Sequence, residues 1–347
     1  MLTLEKNTQW ETLSVYTIIY TMELNEKSQY FPFLYLPILV IENALRNLDP
    51  VELIKFSQVS KRCHRFVKFS TRKNPFKLTL DICFTSRIII KTGRNSYDMI
   101  APFYDVDSYI YCFLKIFSSA KWTEYILETL NCRINDLSMQ SNFCFYSFPF
   151  IIDWFSNVTH CLDSASFKGT AITRDHLKMF LETCKSTKTL ILFMEQPYEI
   201  MPFDFNLHEI DHIYISGPTH ALNWVTLDHL MSFDCVDLLL DEFAFTEKDM
   251  NNFLKAFLKG SILPRMKYFR IRLLPMNLQL LTDGIEVNQR EITVIREYVH
   301  EHPLFSIIFR GGTDVHKESG ELVTFRQSSP PNPDNPRCKA DFKMVVW

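Results

Sequence analysis

The chain has 347 residues, 47% of them hydrophobic and 14% aromatic, so it can bury a substantial core and is too apolar for a disordered protein. Its formal net charge of −3 gives no overall attraction to nucleic acid, and its eight glycines form no glycine-rich nucleotide-binding motif. The nine cysteines lack the spacing of a zinc site or a disulfide framework, so a reducing compartment, cytoplasmic or nuclear, is expected.

Residues 1–30 are predicted to be an N-terminal extension. The apolar run at 15–20 is too short to span a bilayer, and acidic residues precede it where a secretion signal would be basic. The segment therefore predicts neither a membrane helix nor a signal, and its sequence suggests no function.

Three short helices are predicted between residues 31 and 70. Pro37 suits the start of the first helix, and Asp49, Pro50 and Glu52 form a D-P-x-E pattern that caps and opens the second. The apolar positions recur three or four residues apart: Val40, Ile41, Ala44, Leu45, Leu48, then Leu53, Ile54, Phe56, Val59, and last Cys63, Phe66 and Val67. Helices this short cannot bury so much apolar surface alone, so a partner or the rest of the chain must cover it.

Three short motifs punctuate this segment: Leu-Pro at 36–37, Leu-Asp-Pro at 48–50 and Val-Ser-Lys-Arg at 59–62. In these motifs and their spacing the segment resembles the F-box, the adaptor-binding helix bundle of modular ubiquitin ligases. Leu39 stands where an acidic residue is common, and Cys63-His64 replaces a frequent tryptophan. The resemblance implies an adaptor-binding set of Leu36, Pro37, Val40, Ile41, Leu45, Leu48, Pro50, Leu53 and Ile54.

Residues 71–125 are predicted to connect this module to a larger domain. Alternating apolar and polar residues indicate two strands between 76 and 90, and Gly93 and Asn95 indicate a turn after them. A helix is predicted over 122–130.

Residues 126–275 contain an irregular internal repeat. Thr173, Thr226 and Thr246 are each followed by an apolar residue four positions later and by phenylalanine seven positions later, which predicts capped amphipathic helices. Strands are predicted at 158–162, 189–193, 210–215, 236–240 and 268–273. The alternation favours stacked α/β units similar to leucine-rich repeats, and a compact α/β sheet is the alternative.

A second resemblance covers residues 206–273. It is carried by Leu230, Phe233 and Cys235, by Phe245-Thr246, and by Phe253-Leu254 before Lys259-Gly260-Ser261. These motifs resemble the F-box-associated type 2 region, which follows an F-box in a family expanded in nematodes. The resemblance implies a region that meets a protein substrate, and it identifies no individual contact residue.

Residues 276–347 are predicted to form a β-rich C-terminal part. Strands are expected at 306–310, 322–327 and 342–347, with a turn at Gly311-Gly312 and an exposed proline-rich loop at 329–336. The last three residues are expected to dock into the core. A protruding peptide that binds a partner is the alternative.

Two motifs suggest other classes of function. Residues 208–212 read H-E-x-x-H, which on a helix would hold zinc, but His212 leads into a β-rich run and a strand separates the two histidines too far. The basic run from Lys61 to Lys73 is local, and a solvated helix face explains it better than nucleic acid binding.

The sequence therefore predicts an α/β protein with an N-terminal three-helix F-box, a leucine-rich-repeat-like α/β region and closing antiparallel strands. As the resemblance implies, it would be the non-catalytic substrate-recognition adaptor of a Skp-cullin-F-box ubiquitin ligase. Its partners would be a Skp-type adaptor, through it cullin and RING subunits, and an unknown protein substrate, without nucleic acid, membrane, metal or cofactor. A binding scaffold that engages the adaptor without forming a ligase is the alternative, and a zinc hydrolase that uses the histidine pair is the third class considered.

Overall fold

The computed structural model describes residues 33–73, 76–82, 87–92, 95–100, 109–140, 148–158, 161–169, 173–194, 207, 210–218, 222, 224–299, 306–328 and 339–347. The chain divides into two compact units, Met1–Asp49 and Pro50–Trp347. Helices near the N-terminus precede a large sheet that ends in antiparallel strands. The mixed α/β class is thus confirmed, while the likeness to leucine-rich repeats stays a prediction.

The described part of the first unit holds a 3-10 turn, Phe33–Tyr35, and helix α1, Ile38–Leu45. Pro37 occupies the N-cap position, one residue earlier than the first helical position for which its ring is suited. Its carbonyl accepts hydrogen bonds from the N–H groups of Val40 and Ile41, at 2.9 and 3.2 Å. The predicted helix therefore forms, with its start shifted by one residue.

The second unit begins with helices α2, Pro50–Val59, and α3, Lys61–Ser70. Pro50 is the first helical residue, as predicted. Ser60 caps α3 by accepting a hydrogen bond from the N–H of Cys63 at 3.1 Å. That cap satisfies one of the free N–H groups at the helix start and separates α3 from α2.

Helix α4, Tyr109–Leu130, packs against these two helices and connects them to the larger domain. The hydroxyl groups of Ser57 and Tyr125 lie 2.7 Å apart, and His64 Nε2 lies 3.1 Å from Thr129 Oγ1. Tyr125 also stacks on the His64 ring, with 5.6 Å between ring centroids. Hydrogen bonds and ring packing from two helices onto one hold α2 and α3 in a defined orientation.

The described residues form one sheet of thirteen strands, ordered β10-β11-β12-β13-β9-β8-β7-β6-β5-β4-β1-β2-β3. The strands span Lys77–Ile82, Arg87–Thr92, Asn95–Ile100, Arg133–Gln140, Ser164–Gly169, Thr189–Met194, His212–Ser216, Asp237–Leu240, Tyr268–Leu273, Asn288–Val299, Ser306–His316, Leu322–Gln327 and Ala340–Val346. β1 and β4 to β9 are parallel, and both ends of the sheet are antiparallel.

Helices α5 to α9 span Phe148–Val158, Arg174–Thr183, Leu227–Ser232, Glu247–Leu258 and Leu278–Leu281. Phe148 of α5 and Phe180 of α6 pack on Phe167 of β5, with ring centroids 6.0 and 5.2 Å apart. Phe253 of α8 packs on Phe269 of β9 at 5.1 Å. These helices therefore cover the sheet face on which Phe167 and Phe269 lie.

Strand register shows that this covered face is a continuous apolar layer. Leu192, Ile215, Leu240 and Ile271 lie in register with Phe167 across five parallel strands, and all are buried. Side chains alternate between the two faces of a strand, so the neighbouring positions lie on the opposite face. That opposite face carries the half-exposed row Ser166, Ile191, Tyr214, Leu239 and Arg270.

The three repeated threonines all cap helices, as predicted. Thr173, Thr226 and Thr246 are the N-caps of α6, α7 and α8, and each side chain accepts a backbone hydrogen bond from three residues later. In α8 the cap is reciprocal, because the Thr246 N–H donates to Asp249 Oδ2 at 2.9 Å.

Thr246→Ala is expected to lower the free energy of unfolding by about 1 kcal/mol, because the cap oxygen that satisfies the Asp249 N–H is lost. Thermal unfolding measures this as a fall in midpoint of about 2 °C. Thr246→Ser keeps the oxygen and should stay close to the original protein. If the serine and alanine variants unfold alike, the cap is not the cause.

Several predicted boundaries were wrong. The strand predicted at 158–162 is wrong at its described residues, because Val158 ends α5 and residues 161 and 162 lie in no strand. Ile151, Ile152 and Phe155 bury one face of α5, and β5 begins at Ser164. Asn95 is the first residue of β3 and pairs with Thr92 at the end of β2, so the chain reverses direction where the turn was predicted, while Gly93 lies outside the described residues. The helix predicted from 122 already begins at Tyr109.

The turn predicted at Gly311-Gly312 was also wrong, since both glycines lie inside β11. Their φ angles are +65° and +116°, and the pairing with β10 shifts register beside them. A Cβ at Gly311 would lie 3.1 Å from the Arg290 carbonyl oxygen, so the glycines allow a bulge and a close strand contact. Strands β3, β4 and β10 were not predicted at all.

The chain end docks as expected, since Val345 is 0% and Val346 3% exposed and the Trp347 indole donates to Thr324 Oγ1 at 2.8 Å. This excludes the alternative of a protruding terminal peptide. The predictions for 1–30 and for the loop at 329–336 lie outside the described residues.

Candidate functional site

A run of exposed apolar side chains lies in the first unit, at the start of α1. Tyr35, Ile38, Leu39 and Val40 are 85%, 52%, 69% and 47% exposed. Single exposed apolar residues are common on protein surfaces, but contiguous ones mark interaction sites. We call these four residues the exposed apolar surface.

The opposite side of α1 is buried. Ile41 and Leu45 are each 1% exposed, and they lie four residues apart on one face of the helix. Helix α1 therefore has an apolar side that is covered and a second apolar side that is open, and only its C-terminal half has polar side chains. Glu42 and Arg46 form an ion pair there.

The nine residues expected to bind the adaptor divide between surface and core. Pro37 and Val40 are exposed and Leu36 and Leu48 are half-buried. The others are buried: Ile41, Leu45, Pro50, Leu53 and Ile54. Sequence reasoning missed Tyr35, Ile38 and Leu39 as surface residues, although the absence of any charged residue between 33 and 41 pointed to a helix with two apolar sides.

The basic residues of α3 form a solvated face. Lys61, Arg62 and Arg65 are exposed. The Arg62 guanidinium lies 5.6 Å from the Phe66 ring centroid and Lys68 Nζ lies 2.9 Å from Glu128 Oε1. Local pairing with an aromatic ring and with a carboxylate agrees with the solvated face expected from the sequence.

Two sequence families match the chain. One is the F-box domain, which matches residues 33–74. The chain carries an F-box. The other family, described as F-box associated, matches residues 203–271. A comparison with curated proteins and with solved structures finds no match.

The F-box match includes the whole exposed apolar surface, together with α1, α2 and α3. The F-box-associated match covers strands β7 and β8, helices α7 and α8, and β9 as far as Ile271. The two regions appear in the order expected from the sequence, with the parallel strands β4 to β6 between them.

Polar side chains of the F-box-associated region pair on the sheet face opposite the helices. Tyr214 donates from its hydroxyl to Asp241 at 2.6 Å, and Arg270 donates to the same carboxylate at 2.9 Å. Burial raises the pKa of the Tyr214 phenol, and its hydrogen bond to Asp241 raises the pKa further. A protonated phenol that is held as a donor positions the carboxylate and stays un-ionised at neutral pH.

The H-E-x-x-H motif does not form a helical metal site. His212 lies in a strand, as predicted, although β7 begins at His212 and not at residue 210. Its Nδ1 lies 2.5 Å from Asp237 Oδ2. His208 lies outside the described residues. No group of three metal-ligating side chains occurs in the part of the chain that the structure describes.

Three of the described cysteines, Cys132, Cys184 and Cys235, are not activated nucleophiles. Burial raises the pKa of Cys132 to about 12, and it also raises the pKa of Cys184 and of Cys235. Thiols with raised pKa values stay protonated and unreactive at neutral pH. None of the helices that the structure describes is long and apolar enough to cross a membrane.

Proposed function

We propose that this chain is the substrate-recognition subunit of a Skp-cullin-F-box ubiquitin ligase. It binds a Skp-type adaptor through the F-box and a protein substrate through the C-terminal region. Ubiquitin transfer takes place on the partner subunits, so the chain itself needs no catalytic side chain. The observation that carries the proposal is the exposed apolar surface inside the matched F-box.

The burial pattern supports different roles for the predicted adaptor-binding residues. Side chains that are open, such as Leu39 and Val40, contact the adaptor directly, because their apolar area can still be removed from water. Covering one leucine contributes about 2 kcal/mol. Buried residues such as Ile41 and Leu53 each support the helix to which they belong.

The packing of α2 and α3 on α4 supports a role in proximity. The contacts of Ser57 with Tyr125 and of His64 with Thr129 join part of the F-box to the domain that carries the sheet. A substrate bound to that domain would keep a fixed position relative to α2 and α3. Holding two reactants together in a defined geometry converts an intermolecular reaction into an effectively intramolecular one.

Affinity purification of the full chain from cells with the proteasome inhibited tests this proposal. Recovery of adaptor and cullin together is the expected result. Recovery of the adaptor without cullin would favour the scaffold that binds the adaptor without forming a ligase. Recovery of neither would contradict both functions.

A further inference from the structure

Three positive side chains lie side by side on the sheet face opposite the helices. Arg270 of β9 is the register partner of Lys343 in β13, and Lys343 is the partner of Arg326 in β12. Paired residues of adjacent antiparallel strands project from the same face with Cβ atoms about 5 Å apart. Like charges in such positions repel and destabilise a sheet, so its stability does not explain them.

Neighbouring carboxylates balance only part of this charge. Arg270 donates to Asp241 Oδ1 at 2.9 Å. Asp341 is shared, since it lies 3.2 Å from Arg272 and 3.7 Å from Lys343. Each of these carboxylates carries one negative charge, and Asp341 pairs with both Arg272 and Lys343.

Arg326 stands at the end of the row without a carboxylate. Its Nη1 donates to the backbone oxygen of Arg310 at 2.9 Å, and within the described residues it forms no ion pair. Arg270, Arg272 and Lys343 therefore share two carboxylates, and Arg326 pairs with none among the described residues. The row carries an excess of positive charge in a chain whose net charge is −3.

The same row continues as apolar side chains. Leu239 lies in register with Arg270, Tyr214 with Leu239, and Ile191 with Tyr214. All of these positions are half-buried, so part of each side chain is accessible to a ligand. We call the six residues from Ile191 to Arg326 the mixed row, because half of it is apolar and half is cationic.

The β10–β11 hairpin covers the neighbouring row and leaves the mixed row open. Tyr298 stacks on Tyr268 with 6.0 Å between centroids, and Phe309 meets Trp347 at 6.3 Å. Tyr268 and Val345 are buried under these contacts, and the next residues on the same face of β9 and β13 are Arg270 and Lys343. The hairpin therefore borders the mixed row along one side.

We propose that the mixed row binds an extended segment of the substrate protein that carries closely spaced acidic groups followed by apolar side chains. This inference rests on the proposed function and names the chemistry of its substrate. Glutamates and phosphorylated serines would both supply the acidic groups. The three cations span only about 10 Å across three strands, and apolar residues follow them, which suits a protein segment better than a run of nucleic acid phosphates.

Fluorescence anisotropy with the full chain tests the proposal. The probes are labelled peptides in which three glutamates, three phosphoserines or three glutamines precede leucine and phenylalanine. At least one acidic peptide should bind about tenfold more tightly than the glutamine peptide. Arg326→Glu combined with Lys343→Glu should weaken that binding about tenfold or more, and higher salt should weaken it in the original protein.

The matched control is Lys185→Glu with Lys188→Glu, which makes the same charge change at exposed residues after α6. It should leave peptide affinity within about twofold. Arg326→Gln with Lys343→Gln removes the charge without reversing it and should fall between the original protein and the reversal. Thermal unfolding confirms that each variant folds.

Equal peptide affinity in the charge reversal and the original protein would overturn the proposal, as would equal binding of acidic and glutamine peptides. Tighter binding of a single-stranded oligonucleotide than of either acidic peptide would favour nucleic acid instead. Adaptor recovery is measured on the same variants. If the original protein does not recover the adaptor, the ligase function is contradicted. If it recovers the adaptor but does not bind the acidic peptides, this inference alone is contradicted.

Discussion

Leu39→Asp is expected to abolish recovery of the adaptor while the protein unfolds at an unchanged temperature. Leu39 is 69% exposed, so the carboxylate of an aspartate at this position is solvated in the free protein. In the proposed complex the same carboxylate would be buried in an apolar interface. Losing the buried leucine and desolvating a carboxylate should weaken binding by about 3 kcal/mol, or roughly 100-fold. Titration with purified adaptor measures the affinity.

Leu280→Asp is the matched control, because Leu280 is 57% exposed and lies in α9, outside both matched regions. It should bind adaptor like the original protein. Unchanged binding by Leu39→Asp would show that the exposed apolar surface does not contact the adaptor. Equal losses in both variants would indicate a general effect of the charge.

Ile41→Asp, the substitution that helix periodicity alone suggests, would not answer the same question. Ile41 is 1% exposed, so its replacement puts a carboxylate into the core and should unfold the region around α1. A loss of adaptor binding in Ile41→Asp would follow whether Ile41 contacts the adaptor or only supports α1. Only an exposed position such as Leu39 separates contact from support.

Asp314→Asn is expected to lower the free energy of unfolding by about 3 kcal/mol at neutral pH, because it leaves two guanidinium groups without their shared anion. Asp314 is 2% exposed and accepts hydrogen bonds from Arg290 at 2.8 Å and from Arg296 at 2.9 Å. Thr324 adds a third at 2.6 Å. Chemical denaturation measures the loss, and Asp283→Asn at an exposed position should change stability by less than about 0.5 kcal/mol.

We also expect protonation of Asp314 to lower the stability of the protein in acid. Burial raises the pKa of Asp314, but hydrogen bonds from Arg296, Thr324 and Arg290 outweigh it and lower the pKa to about 2. An unfolded aspartate has a pKa of about 3.9, so the stabilisation is complete above that pH and is lost as pH falls towards 2. It amounts to about 2 kcal/mol.

Asp314→Asn should therefore flatten the decline of stability between about pH 4 and pH 2. The measurement is the denaturation midpoint at a series of pH values for both proteins. Parallel declines would mean that another carboxylate accounts for the acid sensitivity. A variant as stable as the original protein at neutral pH would contradict the assigned role of the ion pairs.

Local sequence patterns predicted those elements whose causes are themselves local. Pro50 opens α2 because its fixed backbone angle suits a first helical turn, and Thr246 starts α8 because its hydroxyl satisfies the Asp249 N–H. Strands β9 and β12 were predicted with their observed ends. The residues of β9 alternate between a buried and an open face from Phe269 onward, whereas β12 buries three consecutive residues.

Strand β10 was missed because its residues show no such alternation. It is exposed along almost its whole length and stands at the edge of the sheet, where it pairs on one side only. Its apolar residues therefore carry no periodic record of a buried face. The glycines of β11 look like a turn in the sequence because the same backbone freedom serves a turn and a bulge.

The sequence by itself determined that the chain carries an F-box followed by an F-box-associated region, because motif spacing, caps and apolar periodicity are properties of neighbouring residues. Tertiary structure alone decided which apolar side of α1 stays open, since Leu39 and Ile41 are equally apolar and differ only in what covers them. It also brought Arg270, Lys343 and Arg326 together. These cations are far apart in sequence, and only the pairing of β13 between β9 and β12 makes them neighbours.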